Sequence, residues 1–209
     1  MEPETNHKTI ITNSQLDKDC FLRTLQDCNN LDTLQCWVFH DGMLFSDSCQ
    51  WWNRTKKRSC PHEGLDFVYY LTSTGKQHLF PPGTMIPAIF DGIIVRDHQD
   101  FLGQTLYIQH EQFQQNSKTL YSLYAHIAIN DKLPKKIARD MPIGVIAEVP
   151  GLSPVPPHLH LSMAWLENTL DTTSINWNNI ASHESVHLVD PLGFVRNNLE
   201  MTQNLNAPF

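Results

Sequence analysis

The run Pro156-Pro157-His158-Leu159-His160-Leu161-Ser162-Met163-Ala164-Trp165 sets the tightest condition on what this chain can become. Its composition is strand-forming, and strand side chains alternate faces with period two, so His158 and His160 point the same way. Two imidazoles side by side on a rigid element are costly in a core unless each nitrogen finds a partner, and a divalent metal is the commonest shared one. Further ligands must then come from elsewhere. Cys60-Pro61-His62-Glu63-Gly64-Leu65-Asp66 offers a His and an Asp four residues apart, and Tyr124-Ala125-His126 adds another imidazole.

From residue 65 onward the chain reads as short β-rich runs separated by turn residues, the pattern of an all-β domain. Strands are predicted over 65–71, 84–90, 93–97, 104–110, 119–127, 143–149 and 158–166. Asp91-Gly92, between two of these runs, is the strongest hairpin signal. Pro81-Pro82-Gly83, Pro134 and Pro150-Gly151 mark other connections. No GxGxxG, phosphate-binding glycine loop or GxSxG occurs, which removes support for nucleotide-binding and serine-hydrolase readings.

The first sixty residues differ. Residues 1–13 are polar and without periodicity. Ser14 followed by Asp17 resembles a capping box ahead of Leu16, Cys20, Phe21 and Leu25, which predicts a short helix over about 14–28 that ends near Asn29-Asn30. This thinly apolar segment is expected to pack on the main domain as a cover, with Trp37, Phe39, Trp51 and Trp52 on the same surface. The expected division is an N-terminal segment over 1–48, a main domain over 49–195 and a polar tail over 196–209.

The formal net charge of -7 argues against a nucleic-acid partner, because the only basic run, Arg54-Thr55-Lys56-Lys57-Arg58, is short and reads as a solvated loop. No window approaches the ~20 apolar residues of a membrane span. Cys20, Cys28, Cys36, Cys49 and Cys60 contain no CxxC pair: an oxidising compartment predicts two bridges and a free thiol, and a reducing one predicts small buried apolar groups.

His62 and Asp66, flanked by Pro61 and Gly64, read as a loop entering a strand. Alone they suit either a hydrogen-bonded pair or two metal ligands, and the HxH pair alone suits either ligands or packed rings. Together, two His and one carboxylate in one β domain make a three-ligand zinc site with a position left for water.

In order and spacing these residues resemble the lysostaphin-type, or LytM-like, zinc endopeptidases. The matching pieces are His62-Glu63-Gly64-Leu65-Asp66, then Gly83-Thr84-Met85-Ile86-Pro87-Ala88 with Asp91-Gly92, then Tyr124-Ala125-His126-Ile127, then Pro157-His158-Leu159-His160, over about residues 60–165. The resemblance implies a mainly antiparallel barrel-sandwich hybrid with a groove over zinc, and cleavage of peptide crosslinks or stem peptides of bacterial peptidoglycan. It also implies His62, Asp66 and His160 as the zinc ligands, with His126 and His158 as the catalytic imidazoles beside them. The chemistry suits these types: zinc makes water nucleophilic near neutrality, and an imidazole of pKa about 6.5 can take the proton and return it to the leaving amine. Which imidazole does which stays open.

Three departures from the family pattern stand out. The stretch from Phe67 to Pro82 is longer than usual and is expected to build one wall of the groove. Four prolines between 150 and 157 stiffen the approach to the HxH pair. Ser162 stands where the family commonly has a glutamate, which leaves a contact behind the metal site open. His110 reads as structural. His7, His40, His78, His98, His183 and His187 read as surface or capping residues, and Trp165, Trp177 and Asp190-Pro191-Leu192 as closing pieces of the core.

The leading expectation is a zinc endopeptidase acting on peptidoglycan, with two alternatives: a non-catalytic regulatory module on the same fold, or a zinc peptidase for a non-wall protein. Wall chemistry implies a periplasmic or secreted protein. The first thirty residues lack a signal-peptide core, and a trimmed chain beginning with an added Met would reconcile the two.

Overall fold

The computed structural model describes residues 8–196, apart from 19, 54, 150 and 152. The N-terminal part contains β1 (Lys8–Thr12), α1 (Phe21–Cys28) and β2 (Leu34–His40). Three short strands follow: β3 (Leu65–Phe67), β4 (Tyr69–Thr72) and β5 (Gln77–Leu79). The main sheet is completed by β6 (Met85–Pro87), β7 (Gly92–Gln99), β8 (Gln104–Gln115), β9 (Lys118–Ile129), β10 (Lys136–Ile137), β11 (Pro142–Ile146), β12 (Leu159–Glu167) and β13 (Val186–Val189), before α2 (Leu192–Arg196). The fold is mainly β and antiparallel throughout, in two sheets that do not close into a barrel among the described residues.

The centre is β9, whose residues from Thr119 to Ile127 are all buried and whose alternation brings Leu, Tyr and Ala to both faces. On one side it pairs with β8. On the other it pairs with β12 from Lys118 to Ala125 and with β11 from Ile127 to Ile129. His126 sits at the switch between these two partners with φ 64°, the left-handed region that a branch in the pairing can demand of a non-glycine residue. There the sheet splits and a cleft opens. On the far edge of β12, β3 pairs with it and sets His160 opposite Asp66.

The second sheet has the order β1-β2-β4-β5, so the segment N-terminal to residue 48 supplies two strands and the following segment the other two. Trp37 and Phe39 are core residues of β2, and the rings of Trp37, Phe39 and Phe21 stand 5.7–6.1 Å from Phe67. A single apolar cluster runs from these residues into β6, β9 and β12.

Local expectations need four corrections. The helix begins at Phe21 rather than at residue 14, because the capping box is Thr12–Gln15 and closes only a 3-10 turn over Asn13–Gln15. Asp91-Gly92 is not a hairpin: β6 pairs with β11, and β7 with β8 and β10. Glycine is needed at 92 for close packing, since a Cβ there would lie 2.6 Å from the Gln109 carbonyl oxygen. The tight hairpin is β8–β9, whose two-residue loop Asn116-Ser117 has φ 48° and 61°, the type I′ signature. The fourth concerns residues 67–82, which carry β4 and β5 into the second sheet instead of walling the groove.

All five cysteines are free thiols, and burial pushes those of Cys20 and Cys28 up. No helix among the described residues is long and apolar enough to cross a membrane. The polar tail from 197 onward and residues 1–7, including His7, lie outside the described residues.

Candidate metal centre

The cleft beside the β9 branch is a cavity of about 260 Å³, with His126, His158, His160 and Asp66 at its floor. β12 presents His160 directly and holds His158 one residue before its first paired position, so period two delivers both rings to one face. β3 delivers Asp66, and the loop before it delivers His62. All five sequence-predicted site residues are buried here: His62, Asp66, His126, His158 and His160.

Three of them converge on one point. His62 Nε2 lies 3.1 Å from His160 Nδ1 and 3.2 Å from Asp66 Oδ1, and His160 Nδ1 lies 2.8 Å from that same oxygen. Neighbouring donors of a tetrahedral zinc with bonds of about 2.0–2.1 Å stand roughly 3.3 Å apart, so the triangle matches one face of such a site. These residues could hold a metal ion.

The atoms behind the triangle agree. His62 Nδ1 donates to the Leu44 carbonyl oxygen at 2.9 Å, which leaves Nε2 as a lone pair aimed at the point of convergence. His160 Nε2 meets Ser162 Oγ at 2.9 Å, so the serine holds the ring, and with the ring proton donated to that hydroxyl Nδ1 is left as a lone pair. The hydroxyl that makes this contact comes from the next same-face position of β12. Asp66 Oδ2 accepts from Trp51 Nε1 at 2.6 Å and from Arg58 Nη2 at 3.3 Å, which turns Oδ1 inward. Gly64 makes this possible, because a Cβ there would overlap the Leu161 carbonyl oxygen and lie 2.7 Å from Ser162 Oγ.

Three acceptor atoms meeting in a buried space repel one another unless a proton or a cation lies between them. Burial would raise the Asp66 carboxyl, but in the metal-free chain the surrounding His62, His158 and His160 rings, which share protons with it, outweigh burial and hold the group well below the usual carboxylate range. Burial draws His160 down to about 3 and His158 to about 4, against the opposing pull of Asp66 on both. Neutral imidazoles beside a carboxylate are the protonation states that bind a divalent ion.

The other two imidazoles flank the triangle. His158 donates from Nδ1 to the Pro156 carbonyl oxygen at 2.9 Å, and its Nε2 stands 3.6 Å from Asp66 Oδ1. His126 donates from Nδ1 to Asp100 Oδ1 at 3.0 Å and stacks edge-on against His158 with centroids 4.8 Å apart. Trp52, Arg58, Glu63, Phe101, Val155 and Trp177 supply the walls.

Sequence reasoning missed several of these residues. Arg58, read as part of a solvated loop, folds inward over Trp52 and onto Asp66, whereas Arg54 of the same run lies outside the described residues. Trp177, read as a packing group, stands at the groove with its ring 4.9 Å from His160. Asp100 carried no spacing signal at all, since it meets His126 only through the fold. His110 is structural as expected: its nitrogens bond the Asp91 carbonyl oxygen at 2.8 Å and Ser122 Oγ at 2.9 Å.

No protein-family model and no curated protein sequence matches this chain. The solved structures similar to it include an M23 peptidase from Pseudomonas aeruginosa, at 25% identity and a TM-score of 0.37, over 52% of this chain and 40% of that one. LytU is similar at 18% identity and a TM-score of 0.44, over 73% of this chain and 80% of its own. The catalytic domain of the antimicrobial peptidase lysostaphin from Staphylococcus simulans is similar at 19% identity and a TM-score of 0.41, over 66% and 81%.

Proposed function

We propose that the protein is a zinc-dependent endopeptidase whose metal ligands are His62, Asp66 and His160 and whose catalytic imidazoles are His126 and His158. The observation that carries this reading is the convergence of His62 Nε2, Asp66 Oδ1 and His160 Nδ1 at 2.8–3.2 Å, with two further imidazoles on the open side of the triangle. The ordered motif sequence over residues 60–165 supports it independently. Peptidoglycan stem or bridge peptides are the proposed substrate, and the cell envelope the proposed place of action.

Bound zinc would supply Lewis acidity for attack of water on a peptide carbonyl. The chain's own groups do the rest. His126 and His158 each keep Nδ1–H engaged, so each presents the Nε2 lone pair as a proton acceptor. A ring that has taken a proton becomes a donor, able to stabilise a developing oxyanion or return the proton to the leaving amine. The aromatic walls Trp52, Phe101 and Trp177 give an extended peptide flat surfaces to lie against and reduce access of bulk water to the floor.

The test is metal content and digestion together. Purified protein should carry about one zinc per chain and release soluble peptides from isolated sacculi, with a chelator abolishing release and zinc restoring it. Zinc binding without cleavage of sacculi but with cleavage of a denatured protein would move the substrate away from the wall. Failure to bind zinc in the folded protein would end the reading.

A further inference from the structure

Asp100 is the most heavily engaged side chain near the cleft that the reading above leaves without a role. It is 1% exposed at the side chain, and its two oxygens accept five hydrogen bonds. Oδ1 receives His126 Nδ1 at 3.0 Å, together with the backbone N–H of Leu102 at 2.9 Å and of Gly103 at 2.8 Å. Oδ2 receives the backbone N–H of His126 at 3.0 Å and the Thr105 hydroxyl at 2.8 Å. Burial alone would raise this carboxyl, but the hydrogen bonds from the His126 ring and from the His126 and Leu102 backbone hold it well below the usual carboxylate range.

The carboxylate thus grips one residue twice, at backbone and ring. That residue is the one at the β9 branch, with φ 64°. Its neighbour across the cleft is held differently, since His158 Nδ1 donates to a neutral carbonyl. A carboxylate at Nδ1 fixes the tautomer and direction of an imidazole and stabilises positive charge that arrives on the ring, whereas His158 has only a carbonyl there, and the carboxylate 3.6 Å from its Nε2, that of Asp66, is the one that would hold the metal.

We infer that Asp100 is a positioning residue that keeps the His126 proton on Nδ1 and its Nε2 lone pair over the metal centre, so that His126 rather than His158 is the imidazole that carries the proton during hydrolysis. This rests on reading the site as a hydrolytic centre. A purely structural Asp100 would do no more than tie the turn over 100–103.

Asp100→Asn keeps the shape and most acceptor contacts but removes the charge. In the zinc-loaded variant, kcat should fall about 10²- to 10⁴-fold with KM changed less than about threefold and zinc retained, the upper end being the loss when an aspartate behind a catalytic histidine becomes asparagine. The independent readout is nitrogen NMR of the His126 ring, made on zinc-free and zinc-loaded wild type. It should show the proton on Nδ1 in both, and a shifted or mixed tautomer in Asp100→Asn. A proton on Nε2 in the wild type overturns the inference, and so does a folded Asp100→Asn variant with unchanged kcat. If the wild type cleaves no peptide, the function reading fails while the ring measurement still decides the role of Asp100; if Asp100→Asn does not fold, the wild-type spectrum decides it alone.

Discussion

His110 and His160 lie on opposite sides of β9, one on β8 and the other on β12, and almost everything about them matches except what they are for. Each is buried, and each has a serine hydroxyl 2.9 Å from Nε2. They differ at Nδ1. That of His110 donates to the Asp91 carbonyl oxygen, which closes the ring's hydrogen bonding with neutral partners. That of His160 faces a carboxylate oxygen that the His62 lone pair also approaches. A buried imidazole is therefore no sign of a site by itself. The sign is an excess of acceptors over protons, which a cation can relieve.

The largest test of this contrast is to remove each ring in turn. His160→Ala leaves two protein ligands, so bound zinc and peptide cleavage should both be lost, while His110→Gln should keep about one equivalent of zinc. Elemental mass spectrometry on the folded variants reads both outcomes. Full zinc retention in His160→Ala would break the comparison at its centre.

Next in size is His158→Ala, which leaves the triangle intact. Turnover should drop by roughly 10²- to 10⁴-fold with zinc still near one equivalent, the usual worth of a positioned acid or base. His126→Ala should behave likewise. Equal zinc loss in both would mean that these rings, too, are ligands.

The matched serines give a finer test. Ser162→Ala removes the hydroxyl that holds the His160 ring, and zinc affinity should weaken by about 10- to 100-fold in a competition titration with a chromophoric chelator. Ser122→Ala removes the equivalent hydroxyl from His110 and should leave zinc affinity within about twofold, because that ring faces no metal centre.

What sequence showed of all this follows from range. His158 and His160 announced themselves because strand periodicity is a local property, and His62 and Asp66 because they are four residues apart. Their donor triangle also needed β3 to pair with β12, and the ordered match of four motifs carried that information. Asp100, Trp51 and Trp177 reach the site through loops whose paths no local rule fixes, so they were invisible or read as packing. Arg58 escapes for the opposite reason, since a run of like charges is usually solvated, and here the Cys49 and Gly42 carbonyl oxygens and the buried Asp66 carboxylate together draw this one in. β1 and β2 escaped because their partners include β4, tens of residues away, and a thinly apolar segment gives no sign that it will complete another segment's sheet. Asp91-Gly92 misled because glycine there answers to packing against β8 rather than to a turn.

The smallest effect concerns acid, where His110 has a signature of its own. Burial pulls its pKa down to about 4, only partly opposed by the Asp91 carbonyl oxygen and charge. In the unfolded chain the ring titrates near its ordinary value of about 6.5. Between these values the unfolded state binds the proton and the folded state does not, so the stability due to this ring is fully present above about pH 6.5 and is lost as pH falls toward 4. His158 and His160 carry the same sign, and all three steepen the acid limb of the zinc-free protein. His110→Gln removes one proton of that uptake, so its stability should fall less steeply below pH 6.5, by up to about 1.4 kcal/mol per pH unit. At pH 7 it should cost about 1–3 kcal/mol through lost packing and hydrogen bonding. Urea unfolding of the zinc-free wild type and variant at several pH values between 7 and 4.5 measures both effects. Parallel curves would show that His110 is protonated alike in both states, and the two sides of β9 would then differ in something other than the count of protons and acceptors.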